Sequence, residues 1–294
     1  MHRRTLFLAS LALVLTASAQ KQASTEAKPP AEEESLRFAV IGDSGTGDRP
    51  ATETAARLAE AHHRFPFKFV LMLGDNLYGS ERPQDFEKKF ERPYKALLDA
   101  GVKFYAALGN HDEPTQAHYK LFNMGGKRYY TFRPQRNIRF FALDTNQLDP
   151  EQTEWLEKEL QASGSEWKIA FFHHPLYSSG ERHGPAIEMR KVLEPIFLKH
   201  GVNVVFSGHE HFYERIKPQH GVYYFTVGSS AKLRRNGIKK SEITAASNAQ
   251  DRTFMLVEIA GDQLRFQTIT RSGDLIDEGA LGRPERPKSI TELR

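Results

Sequence analysis

The chain has 294 residues, is 39% hydrophobic, carries a formal net charge of +4 and contains no cysteine. That length supports one sizeable core. The charge is too weak to argue for a nucleic-acid partner, and the missing thiols exclude disulfides, thiolate metal ligands and lipid attachment at cysteine.

In chain order, His2, Arg3 and Arg4 precede the apolar stretch Leu6–Leu15 and the small-residue site Ala17-Ser18-Ala19. This is the pattern of a secretory signal over 1–19. The apolar stretch is too short to span a bilayer, so an exported protein, periplasmic or secreted, without stable membrane insertion is expected. Residues 20–35, with Lys28-Pro29-Pro30 and Glu32-Glu33-Glu34, read as a disordered tether. From 36 to 294 the chain reads as one catalytic domain.

Within it, strand patterns fall at Leu36–Ile41, Phe67–Leu73 and Val102–Leu108, with helices expected over Ala51–Arg64 and Pro83–Ala100. Tyr129–Phe132 and Ile138–Leu143 read as an antiparallel pair turning near Pro134–Asn137. A helix over Pro150–Ala162 starts with Asp149 as its cap and Pro150 in the first turn. Lys168–Phe172 is a strand, Ala186–His200 a helix that Pro195 should bend or interrupt, and Val202–Phe206 a strand. Tyr223–Val227, Phe254–Ile259 and Gln263–Thr270 read as a second, more antiparallel set. The expected class is α/β (α+β), with two mixed β-sheets facing each other between helices.

Five motifs begin where apolar strands stop: GDSG at Gly42–Gly45, GDNLYG at Gly74–Gly79, GNHD at Gly109–Asp112, HHP at His173–Pro175 and GHEH at Gly208–His211. The steps of 32 residues from Asp43 to Asp75 and 35 from Asp75 to Asn110 suit one strand–helix–strand unit each. Ligands bind outside the carboxyl ends of strands in open α/β sheets. The motifs therefore bring Asp43, Asp75, Tyr78, Asn110, His173, His209 and His211 to one place, as carboxylate, amide, phenol and imidazole ligands for two metal ions. Asp75, central in the order, is the candidate bridge between ions about 3.5–4 Å apart. Two metals imply hydrolysis of a small-molecule phosphate ester.

These residues resemble the calcineurin-like metallophosphoesterase superfamily, and GDNLYG resembles its purple acid phosphatases, especially the small tartrate-resistant type. GHEHFYER and ALDTN are similar to the same family. The resemblance implies a four-layer αββα sandwich. It implies Asp43, Asp75, Tyr78 and His211 on a first metal, and Asp75, Asn110, His173 and His209 on a second, with His174 in the variable place before Pro175. It implies that His111 contacts phosphate or protonates the leaving group. ERHGP at Glu181–Pro185 makes His183 a second candidate proton donor. Tyr78 favours Fe(III) at the first site, with Fe(II), Zn(II) or Mn(II) at the second. The implied reaction is phosphomonoester hydrolysis by a metal-bound hydroxide. The alternative is a phosphodiesterase or nucleotide hydrolase on the same core.

Other residues are expected to be structural. Asp144 and Asn146 would order a strand end, and Arg215 would orient the loop that holds His211. The basic stretch Lys232–Lys240 reads as a solvated loop, with a lid for anionic substrates as its functional alternative.

Overall fold

The computed structural model describes residues 35–239 and 241–283. The expected signal, nearly all of the expected tether and Lys240 lie outside the described residues.

β1 (Leu36–Ile41) leads into α1 (Arg49–Arg64), β2 (Phe69–Leu73), α2 (Pro83–Phe86), α3 (Lys95–Asp99) and β3 (Lys103–Ala107). The hairpin β4 (Tyr130–Gln135) and β5 (Ile138–Ala142) is followed by α4 (Pro150–Gln161), β6 (Trp167–Phe172), α5 (Ile187–His200) and β7 (Val204–Ser207). The remaining strands are β8 (Tyr213–Gln219), β9 (Val222–Val227), β10 (Thr244–Asn248), β11 (Thr253–Ala260), β12 (Gln263–Thr270) and β13 (Leu275–Gly282). Helix starts follow ordinary capping chemistry. Asp48 accepts from the Ala51 N–H at 3.1 Å to open α1, and Asp149 accepts from the Gln152 N–H at 2.8 Å to open α4. α5 continues through Pro195 and stops at Gly201.

The strands form a six-stranded sheet, ordered β13-β12-β11-β1-β2-β3, and a seven-stranded sheet, ordered β10-β8-β9-β7-β6-β5-β4. β1, β2 and β3 run parallel, as do β5, β6, β7 and β9. β2 and β6 are buried along their whole length, as apolar runs without polar alternation require. The main core lies between the sheets. Phe38 of β1 stacks on Phe69 of β2 with ring centroids 5.3 Å apart, and meets Phe140 of β5 edge-on at 5.3 Å and Phe206 of β7 at 6.2 Å. A second cluster, including Leu156, Phe172, Leu193 and Phe197, seals the seven-stranded sheet against α4 and α5. The two facing sheets between helices are the expected αββα arrangement.

The details depart from expectation in three ways. The helix expected over Pro83–Ala100 is interrupted by a π-helical segment, Glu87–Glu91, between α2 and α3. Buried Lys89 of that segment donates to the carbonyls of Tyr78 and Ser80 at 2.7 and 2.6 Å, so the irregularity braces the GDNLYG loop. β9 does not group with β11 and β12: it lies in the seven-stranded sheet and they lie in the other. β8, β10 and β13 had no strand signal, because two are edge strands with no fully buried residue and the third carries Glu214, Arg215, Lys217 and Pro218.

Candidate metal centre

The carboxyl ends of the parallel strands from both sheets converge. Asp43 follows β1, Asp75 follows β2, Asn110 follows β3, His173 follows β6, and His209 and His211 follow β7. The sheets are stitched together here. The His209 N–H donates to Asp43 Oδ2 at 2.9 Å, and His173 Nδ1 contacts the Leu73 carbonyl at 2.9 Å. A carbonyl only accepts, so Nδ1 carries the proton and Nε2 is left with its lone pair directed into the site.

Three of the converging residues adopt left-handed backbone: Asp43 at φ 52°, Asp75 at φ 51° and His209 at φ 68°. Such conformations are uncommon for non-glycine residues and persist where surrounding structure enforces them. The chain also needs close approach. A Cβ at Gly109 would lie 2.2 Å from the Asp75 nitrogen and 2.3 Å from its Oδ1.

All seven expected ligands come together, in two groups. In one, the Tyr78 hydroxyl lies 3.1 Å from Asp43 Oδ1 and 3.3 Å from His211 Nε2, which is itself 3.3 Å from Asp43 Oδ1. In the other, Asn110 Oδ1 lies 3.0 Å from His173 Nε2 and 2.9 Å from His209 Nδ1, while the two imidazole nitrogens are 3.1 Å apart. Asp75 belongs to both. Its Oδ1 is 3.5 Å from His173 Nε2, and its charge acts on Tyr78 and Asp43. Asp43, Asp75 and His173 are fully or almost fully buried, and their ligand-type atoms lie within metal-sharing distance of one another.

The electrostatics fit cations. Burial, then the Asp75 charge, hold the Asp43 carboxyl well above the usual carboxylate range. Burial and the same two carboxylates push the Tyr78 phenol far up. Burial and neighbouring imidazoles push His173 well below the usual range and His209 down to about 2, while burial and Arg234 take His211 to about 4. Three neutral imidazoles facing two crowded carboxylates and a phenol form a donor set whose cost is relieved by metal ions.

His111 and His183 flank this centre. The His111 ring lies 4.8 Å from Tyr78, and its backbone N–H donates to Asp75 Oδ1 at 3.0 Å. The His183 ring lies 4.3 Å from His209, and Arg234 Nη2 is 3.4 Å from His183 Nε2. Burial, Arg234 and Arg182 hold the His183 pKa below its usual value.

Four features were missed or misread. Lys232 and Arg234, expected in a solvated loop, line the cleft beside Asp75 and His211. Glu210, the middle acid of GHEH, is fully buried and bridges the His183 segment to Arg234. His174 is within reach of His173 and His209, with Nδ1 held 2.8 Å from Thr145 Oγ1. Arg215 does not orient the His211 loop. Its guanidinium makes paired contacts with Asp277, at 2.8 and 3.0 Å, and so ties β8 to β13 across the two sheets. Asp144 does order its strand end, accepting from the Asn146 N–H at 3.0 Å and from Arg128 at 2.7 Å.

A family model for calcineurin-like phosphoesterases matches residues 36–213. The human tartrate-resistant acid phosphatase type 5 is 26% identical over 301 residues, covering 86% of this chain and 92% of that protein. Two solved structures share the fold. GAP50, the anchor in the inner membrane complex of Plasmodium, superposes with a TM-score of 0.74 at 19% identity, over 86% of this chain and 90% of that one. A purple acid phosphatase from yellow lupin (Lupinus luteus) seeds superposes with a TM-score of 0.71 at 20% identity, over 87% of this chain and 55% of that one.

Proposed function

The chain belongs to the calcineurin-like phosphoesterase family, and we propose that it is an exported acid phosphatase of the purple, tartrate-resistant type that hydrolyses phosphomonoesters at two metal ions. The observation that carries this reading is the position of Tyr78. Its hydroxyl faces both Asp43 and His211 in one of two adjoining ligand groups. A phenol there suits Fe(III), and the imidazole-rich second group suits Fe(II), Zn(II) or Mn(II). The likeness to a tartrate-resistant acid phosphatase along most of both chains supports the same choice. Export rests on the signal-like residues 1–19, with 20–35 as tether and 36–294 as catalytic domain. Among the described residues no helix is long and apolar enough to cross a membrane.

In this reading Asp43, Tyr78 and His211 hold one ion, Asn110, His173 and His209 hold the other, and Asp75 is shared. Bound there, the cations offset phosphate charge and make water a usable nucleophile at mild pH. The residues do the rest. His111, exposed at the mouth and fixed through its N–H to Asp75, meets the phosphate. His183, beside His209 in the same cleft, supplies the proton to the leaving oxygen. Its depressed pKa means that it is charged only in acid, which matches an acid phosphatase.

The deciding experiment combines metal analysis, the visible spectrum and aryl phosphate hydrolysis by the purified mature protein. Two ions per chain, a visible absorption band lost in Tyr78→Phe, and faster monoester than diester cleavage are expected. A colourless protein with a full metal complement would remove the purple assignment, and faster diester cleavage would favour a phosphodiesterase.

A further inference from the structure

The Lys232 ammonium lies over the face of the Tyr78 ring, 4.4 Å from its centre. Among the described residues it makes no ion pair, and no other Lys or Arg lies over that ring. The contact is held in place by the backbone. The Ser230 N–H donates to the Gly42 carbonyl at 3.1 Å, the Lys232 N–H to the Asp43 carbonyl at 3.1 Å and the Arg234 N–H to the His211 carbonyl at 2.9 Å. Every second amide of this segment thus bonds to a loop that carries a ligand-type residue. Arg234 is further fixed by buried Glu210 at 3.1 Å. Lys232 therefore leaves the chain between two anchored neighbours, and its half-buried stem ends on the phenol.

Tyr78 presents different parts of itself to different partners. Its hydroxyl faces Asp43 and His211, and the His111 ring stands beside it at 4.8 Å. The face of the ring carries the cation. An ionised ring holds more π-electron density than a phenol, so this contact strengthens when Tyr78 serves as a metal ligand.

We propose that Lys232 acts on the metal centre through Tyr78, drawing electron density into the ring and so limiting how much charge the phenolate oxygen donates to its ion. The inference rests on the phosphatase reading above and adds to that site a residue that works through a ligand. A less generous phenolate leaves the ion a stronger Lewis acid toward phosphate. The same pull has an optical sign. The visible band of an iron-bound phenolate moves an electron off the ring that the ammonium touches. Lys232 raises the energy of that transition, and its loss lowers it.

The test records the visible spectrum of iron-loaded protein in phosphate-free buffer at one pH, with metal content measured on the same samples. Lys232→Met keeps the apolar stem and removes the charge; its band should move to longer wavelength by roughly 10–30 nm, the order expected when one partly screened unit charge leaves a contact of this length. Lys232→Arg restores a cation and should bring the band back. Arg182→Gln removes an exposed cation from the same cleft, with no contact to Tyr78, and should leave the band in place. Should Lys232→Met lose its iron, Lys232→Gln makes the same comparison. A band unmoved by loss of the Lys232 charge would overturn the proposal. An equal shift in Arg182→Gln would overturn it too, by tracing the effect to the charge of the whole cleft. Both outcomes leave the purple reading intact. Iron-loaded wild type without a visible band would end that reading, and the role of Lys232 with it.

Discussion

Asp112 Oδ2 accepts from both the backbone N–H and the side-chain amide of Asn76, each at 3.1 Å. The same carboxylate accepts from the Leu77 N–H at 3.0 Å, the Gly109 N–H at 2.8 Å and the Gln116 amide at 2.8 Å. One side chain thus locks the loop carrying Asp75 and Tyr78 to the loop carrying Asn110 and His111. Burial, then Asp75, push the Asp112 carboxyl up to about 7, but every partner named here is an N–H donor and favours the ionised form.

Asp112→Asn should therefore break the centre without touching a ligand. An asparagine presents one acceptor atom and turns an NH₂ group toward N–H donors. The expected loss is about 2–4 kcal/mol of stability, with a reduced metal complement. Denaturant unfolding and metal analysis read both quantities, and a variant matching wild type in each would show that the lock is dispensable.

Gly109 tests the approach of the same two loops. A methyl group there meets the Asp75 backbone nitrogen at 2.2 Å and cannot be relieved by a side-chain rotation. Gly109→Ala should cost upwards of about 2 kcal/mol, and should displace Asp75 from both ligand groups. Equal thermal stability and metal content in the variant would count against this packing.

The sequence made the site more legible than the scaffold edges. Asp43, Asp75, Tyr78, Asn110, His173, His209 and His211 stood at the ends of apolar strands, so strand pattern and motif pointed to one place. β10 and β13 were invisible because edge strands need no buried face, and their polar residues match loop composition. The roles of Glu210 and Arg234 were hidden for a different reason. Their pairing joins GHEH to a loop some two dozen residues away, and no local pattern reports a tertiary ion pair. Arg215 illustrates the converse: its neighbourhood in sequence suggested the His211 loop, but its partner Asp277 lies on the last strand.

Metal removal should expose an acid weakness. In the metal-free fold, His173, His209 and His211 have pKa values below the usual range, so an unfolded chain binds protons that the folded chain refuses. Stability is then fully present above about pH 6.5 and falls as pH drops toward the depressed values, by about 1.4 kcal/mol per pH unit for each proton. Asp43, Asp112, Glu81 and Glu210 have the opposite sign, since their raised carboxyls favour the fold in acid, but His174 and His183 are lowered as well, so five depressed imidazoles stand against four raised carboxyls. Chelated protein should lose thermal stability between pH 6.5 and 4. A midpoint that rises over that interval would contradict the neutral-imidazole assignment.

His183 offers a test by opposite signs. Arg182 and Arg234 disfavour its charged form, so Arg182→Gln should raise its pKa. Glu210 pairs with Arg234 and accepts from the His183 and Gly184 N–H groups at 3.2 and 2.8 Å. Glu210→Gln retains an acceptor oxygen for those amides but removes the charge that offsets Arg234, so the His183 pKa should fall further. If protonated His183 donates to the leaving oxygen, the alkaline limb of kcat/KM follows its pKa. The limb should move to higher pH in Arg182→Gln and to lower pH in Glu210→Gln. A general loss of activity from damage to the cleft would lower the rate without moving the limb. Shifts in the same direction, or none in either variant, would remove His183 as the proton donor.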